Sequence, residues 1–316
     1  TYHSDNNLYA LDITPNGKIF AMGANGVAVD STSGAPWKSS SNYNSVTLNG
    51  SYSRIDFLDC NNGVLVGGGQ ITTTTDGGKT WIDKVREDFV NNYVYINGLS
   101  YVDPAKLIIG TSAGTIYTSP DQGTTLDPVF QDPYFYPDWG VGGMITDLAT
   151  FGTDRTWAFG FRYGATERTV LFRSFDNGAT WDTIKTFPLD DFAPMISRVK
   201  FSSQNIGYAV GDKGKIYKTL DAGATWTDIS PDPIQNEFVS YADLQLLDDN
   251  TIFVIGNGYP VQVVYKSTNG GTSWTEITPN NPNIFTGYYS SILMHDVNNG
   301  YIIVGGSMLI TTNGGV

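Results

Sequence analysis

The eight residues SFDNGATW at positions 174–181 return as TLDAGATW at 219–226, TTDGGKTW at 74–81 and STNGGTSW at 267–274. Taking the aromatic that closes each copy gives Trp37, Trp81, Leu126 (a substitution), Trp181, Trp226 and Trp274, spaced 44, 45, 55, 45 and 48 residues apart. A seventh copy, TTNGG at 311–315, stops before its aromatic. A period of this length means one small structural unit stacked many times. A stretch repeated so often is scaffold before it is a site.

One unit shows what is repeated. ISRVKF (196–201) alternates as a strand, SSQN turns, and IGYAVG (206–211) is a strand apolar on both faces. DKG turns, KIYKTL (215–220) is a third strand, and a fourth starts at Trp226 after DAGAT. Four short antiparallel strands in about 45 residues is the size of one propeller blade. No segment has the length and 3.6-residue period of a helix. The composition agrees: 36 glycines and 13 % aromatic residues suit tight turns and aromatic packing between strands. The fold expected is all-β, a seven-bladed β-propeller of four-stranded antiparallel blades, in a single domain over residues 1–316.

The repeated segment lies between the third and fourth strands. A short Asp or Ser side chain there can bind the backbone of its own turn. Glycine can supply a positive φ. The aromatic can plug the gap between strands. The structural set is thus Asp76, Trp81, Asp121, Asp176, Gly178, Trp181, Asp221, Trp226, Asn269 and Trp274. Asn269 and Asn313 keep an acceptor but drop a charge, Thr32 replaces the Asp of the first unit, and Leu126 replaces Trp.

The pattern S/T-x-D-x-G-x-T/S-W resembles the Asp-box, or BNR repeat, of sialidases, sortilin-type receptors, xyloglucanase-type glycosidases and Ycf48-like photosystem II assembly factors. GYAVGDKGKIYKTLDAGATWTDIS (207–230) is most similar to the Ycf48-like group, and the resemblance covers nearly the whole chain. It implies a propeller with Asp-box turns and an assembly or interaction role. Enzymes and binding proteins share the box, so it speaks for fold rather than function. That family's binding is associated with a basic patch, which this acidic chain does not reproduce, so its photosynthetic partner is not carried over.

Chemistry is sparse. Sialidases use an arginine triad beginning in an RIP-like motif. Here Arg54 stands in SRIDF, and Arg162, Arg168 and Arg173 crowd into one unit. Xyloglucanase-type enzymes use a cleft between two propellers, and only one propeller's worth of chain is present. Asp190 and Asp191 read as a solvated turn rather than an acid–base pair. His3 and His295 are the only histidines and cannot make a multi-histidine metal site. The glycine runs at 67–69 and 23–26 join strands, unlike phosphate loops. Cys60, the sole cysteine, reads as a small core residue. No cofactor and no metal are expected.

The formal net charge of −13 argues against unassisted binding to nucleic acid or an anionic membrane. No apolar run has the length of a membrane span. A removed leader would suit the non-Met start, and the expected location is extracytoplasmic: periplasmic, cell-surface or secreted.

What varies between units is the link from one blade to the next. The link at 126–144 carries Tyr134, Phe135, Tyr136 and Trp139, and the same unit holds the longest hairpin loop, at 160–169. Further links bring Phe187, Phe192, Phe238, Tyr241, Phe285, Tyr288 and Tyr289. Some of these aromatics seal blade joints, and the rest form a ligand surface. The candidate ligand residues are Tyr134, Tyr136, Trp139, Arg162 and Tyr163. The function expected is a non-catalytic, monomeric scaffold binding a protein or a glycan. The alternative is a glycoside hydrolase or lyase with acidic loop residues as acid and base.

The last unit lacks a fourth strand, and an open edge invites aggregation. Residues 2–4 lie ahead of the first inner strand and are placed to supply it, unless a C-terminal extension does so.

Overall fold

The computed structural model describes residues 2–3, 7–24, 28–32, 38–39, 52–134, 142–162, 167–188, 194–231, 239–258, 262–279 and 287–315. Six blades are each folded from four consecutive antiparallel strands, over residues 8–39, 54–85, 96–131, 143–188, 196–228 and 240–276. The expectation of seven such blades is corrected. Among the described residues six blades, not seven, are built from consecutive strands, and the last unit shows three strands of its own. Those three, β26 (Tyr289–Met294), β27 (Gly300–Val304) and β28 (Ser307–Thr311), complete a four-stranded sheet only with β1 (Tyr2–His3) from the other end of the chain. Tyr2 pairs with Met308 and His3 with Ser307, antiparallel.

Each blade is ordered by burial. The second strand is wedged between neighbouring blades, so all five residues are buried in β7 (Gly63–Gly67), β11 (Leu107–Thr111) and β19 (Gly207–Gly211). This explains why these strands read as continuous apolar runs rather than alternating ones. Aromatic side chains fill the joints: Phe20 stacks on Phe57 at 4.5 Å, and Trp157 on Phe201 at 3.6 Å. Outer strands run from two residues, both exposed, in β21 (Thr227–Asp228) to seven in the fourth blade.

The innermost strands form the wall of a central channel: β2 (Leu8–Ile13), β6 (Arg54–Phe57), β10 (Ile96–Tyr101), β14 (Gly143–Phe151), β18 (Ile196–Phe201), β22 (Ser240–Leu246) and β26. In all of these but β6 the register shifts near the strand's start, at a bulge that adds twist. Last and first blades are joined by Leu8 N–H to Gly305 O (2.9 Å), Leu11 N–H to Ser291 Oγ (3.3 Å) and Ser290 Oγ to Leu8 O (3.2 Å).

One element departs from the all-strand expectation. Residues Glu87–Asn91 form a single turn of helix, α1, in the link between the second and third blades. Phe89 is its one buried residue and ties it to the core. Cys60 is half-buried in the bend after β6 and is free.

Candidate functional site

The repeated turns and the blade links lie at opposite ends of the strands. Each turn is bound to the first hairpin of its own blade: Gly77 N–H donates to Asn61 O, Asn177 N–H to Asp154 O, and Ala222 N–H to Asn205 O. At the other end, the second hairpin meets the incoming link, as in Ser112 N–H to Tyr95 O and Gly305 N–H to Tyr288 O.

The turn of the fourth blade is closed by its own side chains. Ser174 Oγ donates to Asp176 Oδ1 (2.8 Å) and accepts from Gly178 N–H (2.8 Å). Asp176 also accepts from Thr180 N–H (2.8 Å) and from the Thr180 hydroxyl (2.5 Å). These Thr180 bonds hold the Asp176 carboxyl down at about 2. Asp76, Asp121 and Asp221 repeat the geometry. Asn269 keeps it with one bond reversed, its amide donating to Ser273 Oγ. Gly178 has φ +79°, and a Cβ there would stand 2.6 Å from Ile108 of the preceding blade. Asn177, just before it, is left-handed too (φ 66°), as are Gln122 and Ala222 at the same place in their turns. Among the box aromatics, Trp81 and Trp226 are buried, while Trp181 and Trp274 are half-buried.

In the second to sixth blades a cation or an indole from the preceding blade caps the turn. Lys18 Nζ donates to Gly77 O (2.9 Å), Lys84 to Gln122 O (2.6 Å), Lys106 to Asn177 O (2.7 Å) and Lys218 to Gly270 O (2.9 Å). Trp157 Nε1 donates to Ala222 O (2.8 Å), with Arg173 beside it (3.2 Å). The turn is therefore a fastener between blades, a role not anticipated from sequence. A basic residue directly before the box was a signal at Arg173 and Lys218, whereas Lys18, Lys84 and Lys106 stand elsewhere in their blades. Asp176→Ala is expected to cost about 1–3 kcal/mol through lost turn bonds. Asp176→Asn should cost less, following Asn269. Urea unfolding of both variants checks the order.

The channel encloses a hollow of about 280 Å³ whose wall carries Asp12, Arg54, Asp56, Asp147, Arg198, Lys200 and Asp243. The carboxylates tie inner strands together. Asp12 accepts from Phe57 N–H (2.6 Å), Asp56 from Tyr101 N–H (3.0 Å), Asp147 from Val199 N–H (2.8 Å) and Asp243 from Ile292 N–H (3.0 Å). Arg198 sits 3.4 Å from Asp243, and Arg54 sits 3.9 Å from Asp147. Burial, and then the neighbouring Asp56, push Asp12 up to about 7. Burial also raises Asp56 and Asp147. Burial, then the like charge of Arg198, lower Arg54 to about 9, still protonated at neutral pH. The sequence signal was an Asp followed by an apolar residue at one place in four inner strands: LDI, IDF, TDL and ADL.

On the link face, Tyr136, Trp139 and Tyr163 lie outside the described residues, as do Asp190 and Asp191. Tyr134 is exposed, at 47 % of its surface. Arg162 is not a surface contact: it is 3 % exposed and forms a two-pronged pair with buried Asp132 at 2.9 and 3.0 Å. Its guanidinium lies 4.1 Å from the Tyr134 ring centre, and Tyr134 N–H donates to Asp132 (3.1 Å). Buried Arg162 thus props up exposed Tyr134. Among the other link aromatics, Tyr241 and Tyr289 are buried in blade joints and Tyr288 is 75 % exposed. Two exposed tyrosines were missed: Tyr93 (79 %) and Tyr95 (53 %). Their alternation in NNYVYI was the clue. His295 is exposed in a bend. No group of three or more His, Cys, Asp or Glu among the described residues is arranged to hold a metal ion. No helix among them is long and apolar enough to cross a membrane.

No curated protein matches the chain. The profile of the Sortilin-Vps10 family (sortilin, neurotensin receptor 3) matches residues 169–299. Among solved structures, YCF48 from Cyanidioschyzon merolae is similar at 14 % identity and a TM-score of 0.70, over 99 % of this chain and 97 % of that one. A structure of YCF48 bound to D1 peptide is similar at 15 % identity and a TM-score of 0.69, over 99 % and 95 %. The GH74 xyloglucanase from Xanthomonas campestris gives 16 % and 0.75, with 99 % of this chain spanning 53 % of the enzyme. Likeness at these identities concerns the fold, and the chain is a β-propeller resembling the YCF48, sortilin and xyloglucanase types.

Proposed function

We propose that the protein is a non-catalytic, extracytoplasmic binding scaffold that takes a protein or glycan ligand on its link face. The observation that carries this reading is Tyr134, an exposed ring fixed from below by the buried Asp132–Arg162 pair. A buried ion pair is costly to assemble, and here its geometry serves to hold an aromatic outward. The channel carboxylates, the alternative chemical groups, are engaged by backbone N–H donors of the neighbouring blade. The peptide-bound YCF48 structure supports a peptide as one ligand class on this fold.

The test is an immobilised array of peptides and oligosaccharides probed with the parent protein and with Tyr134→Ala. Tyr134→Ala is expected to weaken the strongest hit by about tenfold or more, with little change in Tm. Equal binding by parent and variant would remove Tyr134 from the site. Cleaved oligosaccharide in the supernatant would show an enzyme instead.

A further inference from the structure

Between the second and third blades the link face holds a hollow of about 730 Å³ whose twelve described lining residues are all uncharged, on a chain of net charge −13. One wall is the Gly67–Gly68–Gly69–Gln70 hairpin, and the other is formed by α1 and the two tyrosines after it. Ser53 lines both this hollow and the channel, so the two adjoin.

Tyr93 occupies a position that the backbone reserves for glycine. It follows α1 and its C-cap Asn92, with φ +56°. Tyr93 N–H donates to Val90 O (3.3 Å) and Val94 N–H to Phe89 O (2.9 Å). This pair of bonds is the Schellman closure, whose left-handed residue is ordinarily glycine. Val94 packs behind it against the core cluster that holds Phe89, in keeping with the motif. A tyrosine here carries backbone strain, yet its ring is 79 % exposed and contributes almost nothing to the core. Tyr95 is held as well: its N–H donates to Ser112 Oγ (2.9 Å) and its carbonyl accepts from Ser112 N–H (2.8 Å). Gln70 makes no side-chain hydrogen bond among the described residues and lines the hollow.

We propose that this hollow is a subsite for an uncharged oligosaccharide. The sugar's C–H faces would lie on Tyr93 and Tyr95, and its hydroxyls would meet Gln70, the Asn97 side-chain oxygen (the Asn97 amide N–H donates to Ile145 O at 3.0 Å) and the glycine backbone. Rings with apolar faces and wet edges, neutral amide partners and no ionic group select a neutral polyhydroxy ligand. The proposal rests on the binding-scaffold reading and gives it a ligand class and a second place on the link face.

The experiment titrates cellohexaose, chitohexaose, maltohexaose and mannohexaose, together with a proline-rich decapeptide, into the parent, Tyr93→Gly, Tyr95→Ala and Tyr134→Ala. At least one saccharide is expected to bind the parent. Tyr93→Gly should weaken it about tenfold while raising Tm by about 2–4 °C, because glycine relieves the left-handed backbone. Tyr95→Ala should weaken it with Tm nearly unchanged. No saccharide binding to the parent overturns the proposal, as does undiminished binding to both Tyr93→Gly and Tyr95→Ala, or an unchanged or lower Tm for Tyr93→Gly. Binding lost only in Tyr134→Ala, or shown only by the peptide, also overturns it but leaves the scaffold reading standing.

Discussion

Trp226→Ala is expected to lower stability by about 3–5 kcal/mol. The indole is 8 % exposed and meets rings of two blades edge-on, Phe159 at 5.6 Å and Phe201 at 6.2 Å. Phe201 in turn stacks on Trp157, which donates to the turn carrying Trp226. Removing the indole leaves a cavity on both sides of one joint and frees Gly223 O from its bond to Nε1 (3.1 Å). Half-buried Trp181 should cost clearly less when truncated. Urea unfolding measures both. A loss below about 1 kcal/mol at Trp226 would mean that the indole does not hold the blades together.

Stability is expected to fall by about 2–3 kcal/mol between pH 5 and pH 7.5, counting about 1.4 kcal/mol for each pH unit that Asp12 alone titrates. Asp12 is raised from the ordinary value of 3.8 to about 7, so the folded state keeps a proton that the unfolded state has already released. The contribution is complete below about pH 4, declines from there, and is gone above about pH 7. Burial is the main cause, Asp56 on β6 adds to it, and Lys200 on β18 opposes it weakly. Asp12→Asn should flatten the profile over this range, which separates the local effect from general repulsion on an acidic chain. Parent stability that is level or rising from pH 5 to 7.5 would refute this. Below pH 4 the sign reverses as Asp176, held at about 2, becomes protonated.

The blades were legible in the sequence because their signals are local. Two glycine-rich hairpins and one box per unit fix where each strand stops, and the apolar second strand fixes what is buried. The pairing of Tyr2 with Met308 leaves no local trace, and it was approached only from the missing fourth strand of the last unit. The site was less legible for a physical reason. Arg162 looked like a surface cation because its partner Asp132 lies 30 residues away in sequence, on the link ahead of the blade. Buried Tyr289 directly follows exposed Tyr288 in one link, and only packing separates the two kinds. Tyr93 escaped notice because a one-turn helix is too short to show a period, and its strained φ is a backbone property that no residue spacing announces.

The antiparallel register of β1 on β28 sets how the molecule answers mechanical load. Tyr2 lies opposite Met308 and His3 opposite Ser307, so the outgoing ends of both strands leave the sheet in the same direction. Tension applied through the two ends of the chain would pull the strands apart rung by rung, like a zipper, rather than sliding one along the other under shared strain. Among the described residues two rungs join these strands. Peeling β1 away would strip the outer strand from the last blade, while the first and last blades stay joined through Leu8–Gly305, Leu11–Ser291 and Ser290–Leu8 and their shared apolar packing, so β1 could dock again without refolding any blade.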